Sequence, residues 1–212
     1  MTIYGENLEH MEQLRAEITD SLEGLRKDIT QQMGLDPVEH CLSRIKSEES
    51  MREKCRRRDL PETTHSALVC IQDSIGFRVV CAFLSDVYLV RDHLASLPNF
   101  EIIAEKDYIS NAKENGYRSY HMIMRTVDGR LPQGCEPASP DDEEPRGFYV
   151  EVQLRTISMD TWAALEHHLK YKKDAPANER LIVAELKRCA DELASTDLSM
   201  QALRDLILEE TR

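Results

Sequence analysis

The chain has 212 residues, is 41% hydrophobic and 31% charged, and carries a net charge of −12. That length gives one domain with a real core and helical extensions. No apolar run is long enough to span a bilayer, and Met1 to Glu6 lacks the basic and apolar regions of a signal peptide, so a cytoplasmic protein without a membrane partner is expected. The acidic balance argues against a general nucleic-acid coat protein. The six cysteines form no C-x-x-C and no zinc spacing, and read as reduced thiols.

Leu8, Met11, Leu14, Ile18, Leu22, Leu25, Ile29 and Met33 step by three or four residues and predict one long helix, stopped by Gly34. Its stripe serves core or subunit contact, and its length relative to the domain favours a subunit seam. Residues 39–46 read as extended. Ser47 can cap a short helix through Arg58, with Glu48 and Glu49 in its first turn. From Arg44 to Arg58 seven basic residues face three acidic ones. A compact basic patch in an acidic protein suits a small polyanion; a solvated helix face is the plainer alternative, Arg56 above all.

Asp73 precedes an apolar strand through Cys81, and Arg78 lies within that strand. A guanidinium there needs a partner or a ligand. A helix capped by Ser85 and Asp86 and ended by Pro98 comes next, then a strand from Phe100 to Ile109. The strand from Tyr117 to Arg125 carries the richest chemistry. Tyr117, Ser119 and His121 are expected on one face, with Tyr117 offering a surface for a base and His121 a donor for phosphate or sugar. The same string also fits an ordinary hairpin strand. Residues 127–147, with the acidic run Asp141 to Glu144, read as a loop able to reach over a neighbouring site. In the strand Phe148 to Arg155, Tyr149, Glu151, Gln153 and Arg155 share one face, either a site wall or a solvent-facing surface. A helix over 157–172 and two further helices, around Ile182–Leu193 and Leu203–Ile207, finish the chain. The predicted fold is α/β (α+β): a mixed five-stranded sheet flanked by helices. The expected organisation is an N-terminal helix over 1–36, a catalytic domain over 37–175 and C-terminal helices over 176–212. Asp73 and Glu151, each on or beside a strand and near basic side chains, make a natural Mg²⁺ pair. With basic groups for a triphosphate and an aromatic for a base, the composed site suits transfer between nucleotides.

Six blocks in order then carry a resemblance to the small alarmone synthetases, single-domain members of the RelA/SpoT homologues. They are Ser43-Arg44-Ile45-Lys46, Glu53 to Arg57, Asp73 to Arg78, Lys106 to Ile109, Gly116 to His121, and Val150 to Thr156 followed by Trp162, Glu166-His167 and Tyr171-Lys172. The resemblance implies a nucleotidyltransferase-like synthetase domain that moves the β,γ-pyrophosphate of ATP to the 3′-hydroxyl of GDP or GTP, making ppGpp or pppGpp. It implies that Arg44 and Arg78 sandwich the adenine, that Lys46, Lys54 and Arg57 neutralise ATP phosphates, and that Asp73 and Glu151 hold Mg²⁺. Glu151 would also be the general base. Tyr117 would stack on guanine, Lys113 and His121 would meet the acceptor phosphates, and Gln153 and Glu166 would position the acceptor. Lys106 stands where many members have arginine, keeping the charge but not the fork.

The resemblance further implies a homotetramer and no stable nucleic-acid partner. The larger relatives carry an N-terminal hydrolase domain with a His-Asp metal dyad; no histidine here is followed by aspartate, so hydrolysis of ppGpp is not expected. Three other readings stay open: a toxin-type relative acting on the tRNA 3′ end or on adenosine nucleotides, a silent nucleotide-binding module, and an RNA-binding regulator using the 44–58 patch. Members activated by pppGpp carry Phe-Val-Thr before a Gly-Arg, and an Asn in the central inter-subunit cleft. Here the corresponding residues are His40 to Ser43, and Asp160, whose charge would repel a polyphosphate. Added pppGpp is therefore expected to give no severalfold stimulation in a turnover assay.

Overall fold

The computed structural model describes residues 2–135, 147–170 and 179–210. Five strands form one mixed sheet in the order β1-β2-β5-β4-β3: β1 Val38–Ile45, β2 Ile75–Cys81, β3 Phe100–Asp107, β4 Tyr120–Thr126 and β5 Tyr149–Thr156. Only β2 and β5 run parallel; the other three pairings are antiparallel. The helices are α1 Leu8–Met33, α2 Glu48–Arg57, α3 Leu84–Ala95, α4 Ile157–Lys170 and α5 Glu179–Glu210. The predicted sheet, its strand count and its flanking helices are as observed.

One sheet face is apolar. Ile75, Phe77 and Val79 of β2 and Val150, Val152 and Leu154 of β5 pack with Met11, Leu14, Ile18 and Leu22 of α1 and Val87, Val90 and Leu94 of α3. From Met11 to Leu22 the stripe on α1 is thus core within one chain, where a subunit seam is expected, while Leu8 and Met33 at its ends stay exposed. Gly34 ends α1 as expected, in left-handed geometry at φ 71°, with its N–H on the Thr30 carbonyl at 2.9 Å. The Ser47 hydroxyl caps α2 by accepting from Ser50 N at 3.3 Å. A π-helical turn at Ser66–Cys70 had no signal in the sequence.

Three further expectations need correction. The strand thought to begin at Tyr117 begins at Tyr120, because residues 113–117 close on themselves: Gly116 N reaches Lys113 O at 2.8 Å and Lys113 N reaches Tyr117 O at 3.1 Å. Ser119 turns inward and donates to the Leu154 carbonyl at 3.1 Å, so it does not share a face with His121. The two last helices are one helix, α5, of 32 residues. The polar cluster from Ser195 to Ser199 looks like a break, but the helix runs through it, and the Thr196 and Ser199 hydroxyls donate back to the carbonyls of Glu192 and Ser195 at 3.1 and 2.9 Å instead of capping a new turn. Of the loop expected over 127–147, residues 127–135 are described, and they run along the other side of the sheet. Asn7 exchanges hydrogen bonds with Gln133 and Arg130 pairs with Glu17 at 2.9 Å, tying this segment to α1 on the opposite face. The acidic run at 141–144 and the Tyr171-Lys172 pair lie outside the described residues.

Two of the contacts that hold helix α5 are specific to the residues that make them. Near its C-terminal end, Arg204 donates to Asp86 at 2.7 Å and to Ser85 Oγ at 3.2 Å, with its guanidinium carbon 4.6 Å from the Phe83 ring centre. Asp86 itself accepts from Phe83 N at the start of α3. Near its middle, Ala190 lies against Gly116, whose φ is +91°. A Cβ at Gly116 would stand 2.6 Å from the Ala190 Cβ, so only glycine fits. Removing one member of the buried Arg204–Asp86 pair strands a charge, so Arg204→Met is expected to cost about 3–5 kcal/mol in urea unfolding. Asp86→Asn in the same chain should recover part of that loss.

Candidate active site

The face opposite the core is polar because the pleat alternates. On β2, Gly76 and Arg78 point away from the core; on β5, Glu151 and Gln153 do. Register then lines these residues up in rows across the sheet. One row runs Leu42, Arg78, Gln153, His121 and Lys106; the next holds Arg44, Gly76 and Glu151. A cleft of about 430 Å³ lies over these rows, lined by Leu42, Arg44, Lys46, Asp73, Gly76, Arg78, Glu151 and Gln153 among others. Asp73 and Glu151, predicted from sequence to act together, border this one cleft.

Asp73 is its electrostatic centre. Its Oδ2 accepts from Lys46 at 2.9 Å and also from Lys54 of α2. Burial pushes this carboxyl up, but the hydrogen bonds from the two ammonium groups outweigh it and the net shift is downward, so Asp73 is ionised at neutral pH. Its Oδ1 is buried without a hydrogen-bond partner. A buried carboxylate oxygen with free lone pairs, in the same cleft as a second carboxylate, is a fitting donor for a hard divalent cation. No group of three or more His, Cys, Asp or Glu side chains able to hold a metal exists among the described residues, so a cation here would complete its shell with water or substrate oxygens. Lys46 is itself placed by Tyr4, a buried phenol that donates to the Lys46 carbonyl at 2.6 Å.

Beside the cleft, Tyr117 forms a second cluster. Its hydroxyl is 2.8 Å from His121 Nε2 and accepts from Arg155 Nη2 at 3.0 Å. Tyr108, His121 and Trp162 meet its ring edge-on with centroids 5.8–6.3 Å away. The Lys113 ammonium sits 4.9 Å from the ring centre and 4.6 Å from that of Tyr108. Lys113 is exposed, so a planar ring could displace it from the Tyr117 face. Glu166 of α4 accepts from Asn115 at 3.3 Å and so borders the same loop. The two clusters join through Gln153, which donates to Glu151 at 3.3 Å and accepts from Arg155 at 3.0 Å.

Most of the sequence-predicted site therefore converges. Arg44, Lys46, Lys54, Asp73, Arg78, Glu151 and Gln153 gather at the cleft, and Lys113, Tyr117, His121 and Glu166 at the second cluster, with Lys106 beside His121 in register. Arg57 does not line the cleft; it is exposed at the end of α2. Arg52 and Arg56 are engaged by Glu48 and Glu62, which leaves them the plainer role of a solvated helix face. Sequence reasoning missed the centrality of Arg155. It is 5% exposed and binds Asp160 Oδ1 at 2.8 Å. Its signal was the same period-two face that carries Glu151 and Gln153. Asp160, expected in an inter-subunit cleft, is engaged by Arg155 and lies 3.7 Å from Arg78.

His121 is pushed down to about 4, first by burial and then by the positive charges of Arg155, Lys113 and Lys106. It is neutral at pH 7. Its folded value lies below its ordinary 6.5, so the unfolded chain binds this proton more tightly. The resulting stability is complete above pH 6.5 and is lost as pH falls from there to about 4. His121→Gln should flatten the pH dependence of chemical unfolding across that window.

Residues 43–176 match the family described as the region found in RelA/SpoT proteins. The chain is 30% identical over 197 residues to the GTP pyrophosphokinase YjbM of Bacillus subtilis, covering 91% of this chain and 84% of that protein. It is 38% identical over 160 residues to the GTP pyrophosphokinase YwaC of the same organism, covering 74% and 70%. Its fold superposes on the small alarmone synthetase 1 of B. subtilis bound to its product pppGpp with a TM-score of 0.72, at 28% identity and 93% and 94% coverage. A GTP pyrophosphokinase family protein from Streptococcus pneumoniae gives 0.76, at 32% identity and 99% and 97% coverage. The chain belongs to the RelA/SpoT family, among its small alarmone synthetases.

Proposed function

We propose that this chain is a (p)ppGpp synthetase that transfers the β,γ-pyrophosphate of ATP to the 3′-hydroxyl of GDP or GTP. The observation that carries this reading is the pair of clusters joined at Glu151 and Gln153. One is rich in cations around an ionised, half-buried carboxylate; the other presents an aromatic ring beside a neutral imidazole and an exposed ammonium. Two nucleotides laid on these clusters meet at Glu151, as a transfer between them requires.

On the donor side, Arg44 and Arg78 stand on neighbouring strands at the cleft rim, where planar guanidiniums can clasp a purine. Lys46 and Lys54 neutralise the triphosphate; Arg57, exposed at the end of α2 outside the cleft, joins them only by swinging toward it. Asp73 and Glu151 would hold Mg²⁺, which would supply positive charge beside the transferring phosphates. Lys46 and Lys54 occupy Asp73 here, so arriving phosphates offer the lysines new partners and free the carboxylate. On the acceptor side, guanine stacks on Tyr117, while Lys106, Lys113 and His121 meet the phosphates. Gln153 and Glu166 position the acceptor. Glu151 takes the proton of the 3′-hydroxyl, and its Gln153 contact orients it for that task.

Among the described residues no helix is long and apolar enough to cross a membrane. Cys41, Cys55, Cys81 and Cys189 are free thiols, in keeping with a cytoplasmic enzyme. The outer face of α5 exposes Leu198, Leu203, Leu206 and Ile207, each more than half exposed, and α4 exposes Leu165 and Leu169. This apolar surface supports a homo-oligomer, a tetramer by family precedent.

Product analysis with labelled ATP offered together with GDP, GTP, AMP or tRNA tests the reading. Label should pass to GDP and GTP only, and a chelator should abolish it. Glu151→Gln should lower kcat by about 10²–10⁴-fold, as loss of a general base does. Full activity in Glu151→Gln or Asp73→Asn would overturn the assignment.

A further inference from the structure

We infer that Arg155 is a positioning residue that sets the direction of two hydrogen-bond chains, one ending on Glu151 and the other on His121. The inference rests on the reading above for its consequence in catalysis, but its geometry stands alone. Arg155 is a buried cation, and Asp160 balances it at 2.8 Å. That pairing occupies Nη1 and leaves Nη2 to donate to Gln153 Oε1 and to the Tyr117 hydroxyl, each at 3.0 Å. A guanidinium can only donate. Both neighbours must therefore accept from it.

Along the first chain, Gln153 uses its carbonyl oxygen on Arg155, so its amide N–H₂ faces Glu151 at 3.3 Å. The flipped amide would place a carbonyl oxygen against a carboxylate, which repels. Arg155 thereby gives Glu151 a donor on one side and leaves its other lone pairs to the cleft. Along the second chain, the Tyr117 hydroxyl accepts from Arg155 and has His121 Nε2 as its other partner, at 2.8 Å. Its own proton goes to Nε2. His121 then carries its hydrogen on Nδ1 and presents that N–H as a donor. One buried side chain thus fixes an amide orientation beside the base and a tautomer beside the acceptor. Asp160 lies 3.7 Å from Arg78 as well, so the carboxylate that anchors Arg155 also touches the donor clasp.

The first test needs no substrate. In ¹⁵N spectra of the ligand-free chain, His121 should show the Nδ1–H tautomer, and Arg155→Met should convert it to a mixture. A wild-type His121 protonated at Nε2, or a tautomer unchanged by Arg155→Met, overturns the inference. The second test is kinetic. Arg155→Met should raise KM for GDP and lower kcat, each by about tenfold, while KM for ATP moves less than about threefold. In a Tyr117→Phe background the KM part of that loss should vanish, and in a Gln153→Ala background the kcat part should vanish. Equal losses in every background would mean that Arg155 only supports packing. Should Arg155→Met fail to fold, Arg155→Lys carries the same tests: it keeps the charge facing Asp160 but cannot reach three acceptors in one plane. Tyr117→Phe alone, which removes a hydroxyl and no core volume, should also shift the His121 tautomer. A wild-type chain that makes no labelled product would overturn the synthetase reading, while the tautomer experiment still decides the role of Arg155.

Discussion

The parallel pairing of β2 with β5 fixes where the charged groups of the cleft stand. It sets Gly76 beside Glu151 and Arg78 beside Gln153. Because the side-chain period of a strand is two, a slip of one residue would send Glu151 and Gln153 into the apolar core and bring Val150 and Val152 to the cleft. Burying two polar side chains in that core is costly enough that the register has no near competitor. The buried run of Ile75, Phe77, Val79, Val150, Val152 and Leu154 is thus as much a part of the site as the carboxylates are. Gly76 adds the last element. It leaves open space beside Glu151 where any side chain would stand.

The electrostatics follow from that frame. The protein as a whole is acidic, yet the cleft concentrates Arg44, Lys46, Lys54 and Arg78 around one ionised aspartate. Charges gathered in a concave, partly dry site act more strongly than the same charges spread over a surface. The acidic remainder discourages long polyanions, so local and global charge select for a small one. The buried Arg155–Asp160 pair works differently. It adds little net field, but it ties strand β5 to helix α4 and to the loop carrying Tyr117.

Much of this was legible in the chain itself. Period-two alternation around Glu151 and the cap residues Gly34 and Ser47 declared their elements directly. Family resemblance then assigned roles that spacing alone could not. What stayed hidden depended on tertiary closeness. Asn115-Gly116 marks a turn, but nothing near Tyr117 announces that the strand starts three residues later, because the backbone hydrogen bonds that carry the loop from Lys113 on to Tyr117 leave no pattern in the side chains. Seryl and threonyl hydroxyls between Ser195 and Ser199 favour turns as readily as helix, and here they bond back into α5. The stripe on α1 looked the same whether it met a sheet or a second chain. Arg155 was visible as one polar position on a strand face, but its three partners lie on three different segments.

The close approach of Gly116 to Ala190 joins two positions far apart in the chain. Each excludes bulk at the other, so neither can drift alone over evolutionary time. Any homologue that enlarges the helix residue must rebuild the nucleotide loop with it, and a chimera exchanging one segment without the other would inherit a clash beside the aromatic platform.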